Sequence, residues 1–178
     1  MVLSFLIFFL YSKSFDFKLK NPSPCVIEFS QERVIFKDNY RIKSKGRIYY
    51  LEPFLIYEIS KPSITIVYTQ DYIYYFFHYL KRFDRKELHG EVSCWDVFIR
   101  EFKKQDVRKK KIKNGYILTK KKGENFYKLK VVDGEVKSLK VRTPFEEISF
   151  KILSLKKKKL NRKFFRDKLK KLLDKYKR

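Results

Sequence analysis

Apolar and polar residues alternate along most of this chain. Between residues 40 and 51, Ile42, Ser44, Gly46, Ile48 and Tyr50 fall on one face, and a period of two predicts a strand with one buried side. The same pattern predicts a strand over 26–36, with Asp38-Asn39 as the turn between the two. Pro53 and Pro62 bracket a third strand over 54–61, since proline sits at strand ends and cannot donate to a ladder. Residues 64–69 and 72–79 form a hairpin around Gln70-Asp71 that is apolar on both faces, so both of its sides are expected to meet something other than water. The period then changes. Val92, Trp95, Phe98, Ile99 and Phe102 share one helical face and predict a helix over 91–104. Asn114-Gly115, Gly123 and Asp133-Gly134 mark further hairpin turns, and 145–153 reads as the last long strand. A final helix over 160–178 carries Leu160, Phe164, Leu169, Leu172, Leu173 and Tyr176 on one side and almost nothing but Lys and Arg on the other. The expected architecture is mainly β (α+β): about ten antiparallel strands with one helix inserted and one appended.

Composition sharpens this picture in three ways. With 178 residues the chain has room for one folded domain. It holds 18 Phe and 13 Tyr and no alanine, which favours sheet over helix. Its net charge of +24 calls for an anionic partner of some kind, without choosing among nucleic acid, anionic headgroups and acidic protein. The first residues are apolar from Val2 to Tyr11 apart from Ser4, too short for an ordinary membrane span, and Ser12-Lys13-Ser14 supplies small residues before a cut. The expected division is a signal peptide over 1–14, a folded domain over 15–154 and a basic amphipathic helix over 155–178. The alternative for the first residues is a buried first strand. Export would place the mature chain in an oxidising compartment, where Cys25 and Cys94 allow one disulfide; two unrelated buried thiols is the reading preferred.

Catalytic chemistry is absent from the pattern. His78 and His89 are the two histidines, and neither is spaced with Cys, Asp or Glu as a zinc motif requires. The five glycines are isolated, so no phosphate-binding loop exists, and Cys94 has no positioned base. Glu146 and Glu147 adjoin on a strand and point to opposite faces, which excludes a facing acid/base pair. The chain is expected not to be an enzyme and to need no metal or cofactor.

Residues 29–77 resemble the periplasmic outer-membrane lipoprotein carriers, the LolA-type family. The family's F-x-Q element stands here as Phe29-Ser30-Gln31, and its glycine, short apolar strand and proline as Gly46 through Pro53. Tyr57 and Pro62 follow in register, and then the hairpin with Ile66-Val67 and Ile73-Tyr74-Tyr75-Phe76. The resemblance implies an incomplete β-barrel with helices as a lid over an apolar cavity. The cavity takes the acyl chains of a lipoprotein released by an inner-membrane ABC transporter, and the carrier delivers them to an outer-membrane receptor. It implies a periplasmic monomer whose cavity is lined by Phe29, Ile48, Tyr50, Phe54, Ile56, Ile66, Tyr74 and Phe76. The family places an arginine before the first proline, where it holds the lid closed; this chain has Glu52, and a swapped ion pair with Arg100 or Lys103 would serve the same end. The hairpin's turn glycine is replaced by Gln70, and Phe15 to Cys25, with Pro22 and Pro24, leaves almost no room for the family's long first helix. The basic C-terminal helix lies outside the family pattern.

Two alternatives stay open at this level. The aromatic strands either line a cavity or pack a solid core. The C-terminal helix either packs on the sheet with a solvated basic face, or docks on anionic membrane through Lys163, Arg166, Lys170 and Lys171, or binds nucleic acid. A basic nucleic-acid-binding module without export is thus the alternative to the carrier.

Overall fold

The computed structural model describes residues 19–90, 92–103 and 106–176, without the side chains of Arg100 and Lys103. The expected signal segment 1–14 lies outside the described residues.

Eleven strands form one antiparallel sheet. Six run as a meander: β1 (Cys25–Ile35), β2 (Tyr40–Leu51), β3 (Phe54–Ile59), β4 (Ile64–Tyr68), β5 (Tyr72–Phe77) and β6 (Arg82–Glu87). The insert follows, a short helix α1 (Asp96–Ile99) continued by one 3-10 turn over Arg100–Lys103. Five more strands form a second meander: β7 (Val107–Ile112), β8 (Gly115–Lys122), β9 (Asn125–Val132), β10 (Glu135–Arg142) and β11 (Glu146–Lys157). The meanders join where β11 pairs with β1, so β1 sits mid-sheet with β2 on its other side. The sheet does not close: β6 and β7 are free edges. Both edges carry dense charge, Arg-Phe-Asp-Arg-Lys-Glu on one and Val-Arg-Lys-Lys-Lys-Ile on the other, which discourages pairing with another chain.

Turn chemistry places the hairpins. Asp133 and Gly134 both take positive φ, +52° and +75°, and close a two-residue loop between β9 and β10. The β7–β8 loop is shifted by one residue from expectation. Its two residues are Lys113 and Asn114, with Asn114 at φ +58°, and Gly115 already pairs with Ile112. Gly115 is needed for another reason, because a Cβ there would meet the backbone of Val131 and Val132.

The sheet has two apolar faces with different partners. On one, residues from β1–β5 and from β8–β11 belong to a single cluster with Trp95, Phe98 and Phe102 of the insert. Strands far apart in the sheet share this cluster, so the sheet curls around the insert; this is the inner face. On the other, α2 (Arg162–Tyr176) packs on Ile56, Val67 and Phe76. The β4–β5 hairpin meets both, as its two apolar faces require: Ile66 and Tyr75 face inward, Val67 and Phe76 outward.

Two expectations are corrected and one strand is added. The predicted helix over 91–104 is only four residues of α-helix and one 3-10 turn, preceded by turns at Cys94-Trp95. Strand β6 is the addition: no strand is expected over Arg82–Glu87, which pairs with β5. The last strand runs on to Lys157, so the basic stretch 155–178 begins as sheet and becomes helix at Arg162.

Candidate functional site

Phe29 forms the floor of the inner face. Its ring stacks on Tyr57 at 5.3 Å between centroids and meets Phe98 edge-on at 5.8 Å and Phe150 at 5.9 Å. It reaches there by lying across Gly46, its partner on β2, which has no side chain to block it.

Over this floor sits the insert, and polar contacts at its start fix it. The Asp96 carboxylate accepts the Ser93 backbone N–H at 2.8 Å and the Ser93 hydroxyl at 3.0 Å, one half of a capping box that starts the helix. Tyr50 Oη donates to the Val92 carbonyl at 3.0 Å, Asn21 Oδ1 accepts the Cys94 N–H at 3.1 Å, and Trp95 Nε1 donates to the Lys20 carbonyl at 2.7 Å. At the far end, the buried Lys120 ammonium donates to the Glu101 carbonyl at 3.0 Å, a cation at a helix C-terminus. Burial pushes the Tyr50 phenol up to about 12, which keeps its proton in place as donor. What results is an aromatic wall covered by eight helical residues rather than by a second sheet.

The sequence-derived cavity residues divide between the two faces. Phe29, Ile48, Tyr50 and Ile66 face the insert. Phe54, Ile56, Tyr74 and Phe76 face α2 and so do not line the same wall. The physical reason is the period of two: Phe54 and Ile56 alternate with the inward Leu55 and Tyr57, and Tyr74 and Phe76 with the inward Ile73 and Tyr75. Leu55 and Tyr57 are inner-face residues that the sequence reading leaves out. Register alone reveals them, because Tyr57 is opposite Ile48 and Leu55 opposite Tyr50.

Glu52 is exposed in the turn between β2 and β3, where its N–H donates to Ser23 Oγ at 3.1 Å. The side chains of Arg100 and Lys103, its expected partners, lie outside the described residues. Lys163, Arg166, Lys170 and Lys171 are all exposed on α2, and Lys163 bridges Asp167 at 2.5 Å. Lys168 behaves differently: it bridges Glu58 on β3 at 2.7 Å and lies over the Tyr49 ring at 4.5 Å. Phe165 is the most buried residue of α2, 2 % exposed. It stands four, seven and eight residues before Leu169, Leu172 and Leu173, a helical spacing visible in the sequence.

His78 anchors the other end of α2. Its Nε2 is 2.9 Å from Thr65 Oγ1 and its Nδ1 2.7 Å from Tyr176 Oη. Both hydroxyls donate or accept, so a neutral ring satisfies both contacts. Burial and then Lys175 hold the ring's pKa below its ordinary 6.5, with Glu58 opposing. A depressed histidine means the unfolded chain takes the proton more readily, so this contact stabilises fully above about pH 6.5 and weakens as pH falls below it. The expected outcome is a lower thermal midpoint at about pH 5 than at pH 7, with a smaller drop in His78→Gln. A ring titration followed by NMR at or above about 6.5 in the folded chain would refute it.

Beside α2, the outer face carries an open groove of about 940 Å³. Ser30, Glu32, Lys43, Lys45, Lys130 and Lys151 line it, alternating with the buried Gln31 and Ser44 and the half-buried Phe150 of the inner face. A second recess of about 560 Å³ shares Lys45 and Ser60 and extends it to His78. Glu32 is bridged to Arg41 at 3.8 Å, which leaves the groove strongly cationic. Glu146 and Glu147 have structural partners on opposite faces, Arg33 and Lys140, the latter at 2.7 Å. Among the described residues no group of His, Cys, Asp and Glu has the arrangement of a metal site, and no helix is long and apolar enough to cross a membrane.

The fold is shared with solved structures. An uncharacterized conserved protein from Thermus thermophilus superposes with a TM-score of 0.52 at 12% identity, over 82% of this chain and 86% of that one. A LolA superfamily protein from Nitrosomonas europaea matches at a TM-score of 0.44 and 10% identity over 83% of this chain and 91% of its own. A DUF1329 family protein from Desulfovibrio piger ATCC 29098 matches at 0.46 and 10%, over 82% and 90%. No family model and no curated protein matches the chain.

Proposed function

We propose that this chain is a carrier that shelters the acyl chains of lipoproteins against its inner face. It receives them from an inner-membrane ABC transporter, crosses the periplasm as a monomer and releases them to an outer-membrane receptor, with no catalytic step. The observation that supports this most is the aromatic inner wall on which, among the described residues, the short insert packs, with the carrier-like residues Phe29, Gly46 and Tyr57 at its centre. The energetics allow exchange. Burial of Trp95, Phe98, Ile99 and Phe102 is worth roughly 1.5–3 kcal/mol each, about 6–12 kcal/mol in all. An acyl chain of about fifteen methylenes gains about 12 kcal/mol at ~0.8 each, so one chain matches the insert and three exceed it. Acyl chains that enter would take the places of the insert's side chains on Phe29, Tyr57 and Phe150.

Trp95 is the one tryptophan of the chain and lies at the start of the insert, so its emission reports the exchange directly. Titration of the full chain with a triacylated lipopeptide is expected to shift that emission saturably, at low and high salt alike. The same peptide without acyl chains is expected to leave it unchanged.

The lysine groove favours a second function, binding of a polyanion such as nucleic acid without export. Such binding depends on counterion release and falls steeply with salt. The groove's only lining ring is Phe150, which faces inward, so it offers no platform for stacking bases. A DNA oligonucleotide and anionic vesicles belong in the same titration. Response to these alone, lost at high salt, would sink the carrier and favour the anion-binding role.

A further inference from the structure

The chain has two cysteines, 25 and 94, and folding brings both to one place. Each is 0% exposed, and both lie in the one buried cluster that the insert shares with β1 and β2, with the free thiols as neighbours. Polar contacts hold them there. Cys25 starts β1 opposite Tyr50 on β2. The Tyr50 hydroxyl donates to the Val92 carbonyl and accepts from Asn21 Nδ2 at 3.0 Å, while the other end of that amide accepts the Cys94 N–H. Cys94 is therefore fixed over Cys25 at the point where the chain leaves the sheet edge and enters the insert.

We propose that Cys25 and Cys94 are a cystine site that clamps the insert to β1. In oxidation one thiolate attacks an external disulfide, of glutathione or of a thiol–disulfide oxidoreductase, and releases one external thiol. The second thiolate then attacks the mixed disulfide, forms the Sγ–Sγ bond and expels the other external thiol. The chain loses two hydrogens and the reagent gains them. With both sulfurs fully buried, the reagent reaches them only when the insert lifts, so oxidation reads out lifting and then prevents it. The bond itself rests on the placement of the two thiols. Its consequence for cargo rests on the carrier function proposed above, where the insert is the lid.

The test uses the full chain, incubated with oxidised glutathione in native buffer. Intact mass is expected to fall by two hydrogens, and non-reducing peptide mapping to join the Cys25 and Cys94 peptides. The thermal midpoint is expected to rise by about 10 °C, because the bond closes a long loop, and to return on reduction. Cys25→Ser and Cys94→Ser are expected to give at most a glutathione adduct and no rise. Stable glutathione adducts on the unsubstituted chain, or no reaction until it is unfolded, would overturn the cystine site. In the lipopeptide titration, the oxidised chain is expected to bind at least tenfold more weakly than the reduced one. A cystine that leaves lipopeptide binding unchanged would overturn the clamp. A reduced chain that binds no lipopeptide would instead sink the carrier function, with the cystine still judged by mass and melting.

Discussion

Trp95→Ala is expected to lower stability by about 3–5 kcal/mol and to expose the inner face. Trp95 is 1% exposed, and its indole N–H donates to the Lys20 carbonyl at 2.7 Å. Truncation removes the largest fully buried side chain of the molecule and leaves that carbonyl without its donor. The insert is too short to hold itself: four α-helical residues and one 3-10 turn are far below the length at which an isolated helix persists in water. Its position therefore depends on the side chains it buries, of which Trp95 is the largest. Denaturant unfolding gives the stability loss, and binding of an environment-sensitive apolar dye gives the exposure. A loss under about 1 kcal/mol with no added dye binding would mean that the wall is closed by the sheet itself and the insert is no lid.

The hairpins are legible in the sequence because their signals are local. Asp133-Gly134 asks for two positive φ values and obtains them, and the two-sided apolar hairpin after Pro62 meets the insert on one side and α2 on the other. The insert is less legible, since five apolar residues at helical spacing describe which side is buried, not how many turns are wound. Strand β6 is hidden by its function as an edge: its charges suppress the very alternation that marks a strand, and only Phe83 turns to α2. The inner wall is half legible. Aromatic residues of both faces look alike along the chain, and only cross-strand register separates Tyr57 from Ile56. The cationic groove is not legible at all, because its lysines come from β2, β9, β10 and β11 and meet only across the sheet.

Gly46→Val is expected to prevent stable folding, and Gly46→Ala to cost at least about 3 kcal/mol, because the site has no room to relax. A Cβ at Gly46 would fall on the Phe29 ring and lie 2.5 Å from the Glu58 carbonyl of β3. The ring has nowhere to go: Tyr57, Phe98 and Phe150 surround it. The carbonyl is backbone and cannot swing away without breaking the β2–β3 ladder that pairs Arg47 with Glu58. The two obstacles can be separated. Phe29→Leu removes the ring and is expected to recover part of the Gly46→Ala loss, since neighbouring substitutions couple, while the carbonyl clash remains. Denaturant midpoints for the two single variants and the double variant measure that coupling. Strict additivity would mean that Phe29 does not lie across Gly46. It would also remove the explanation for the glycine at the head of the Gly46–Pro53 stretch, which is to seat the ring that floors the inner face.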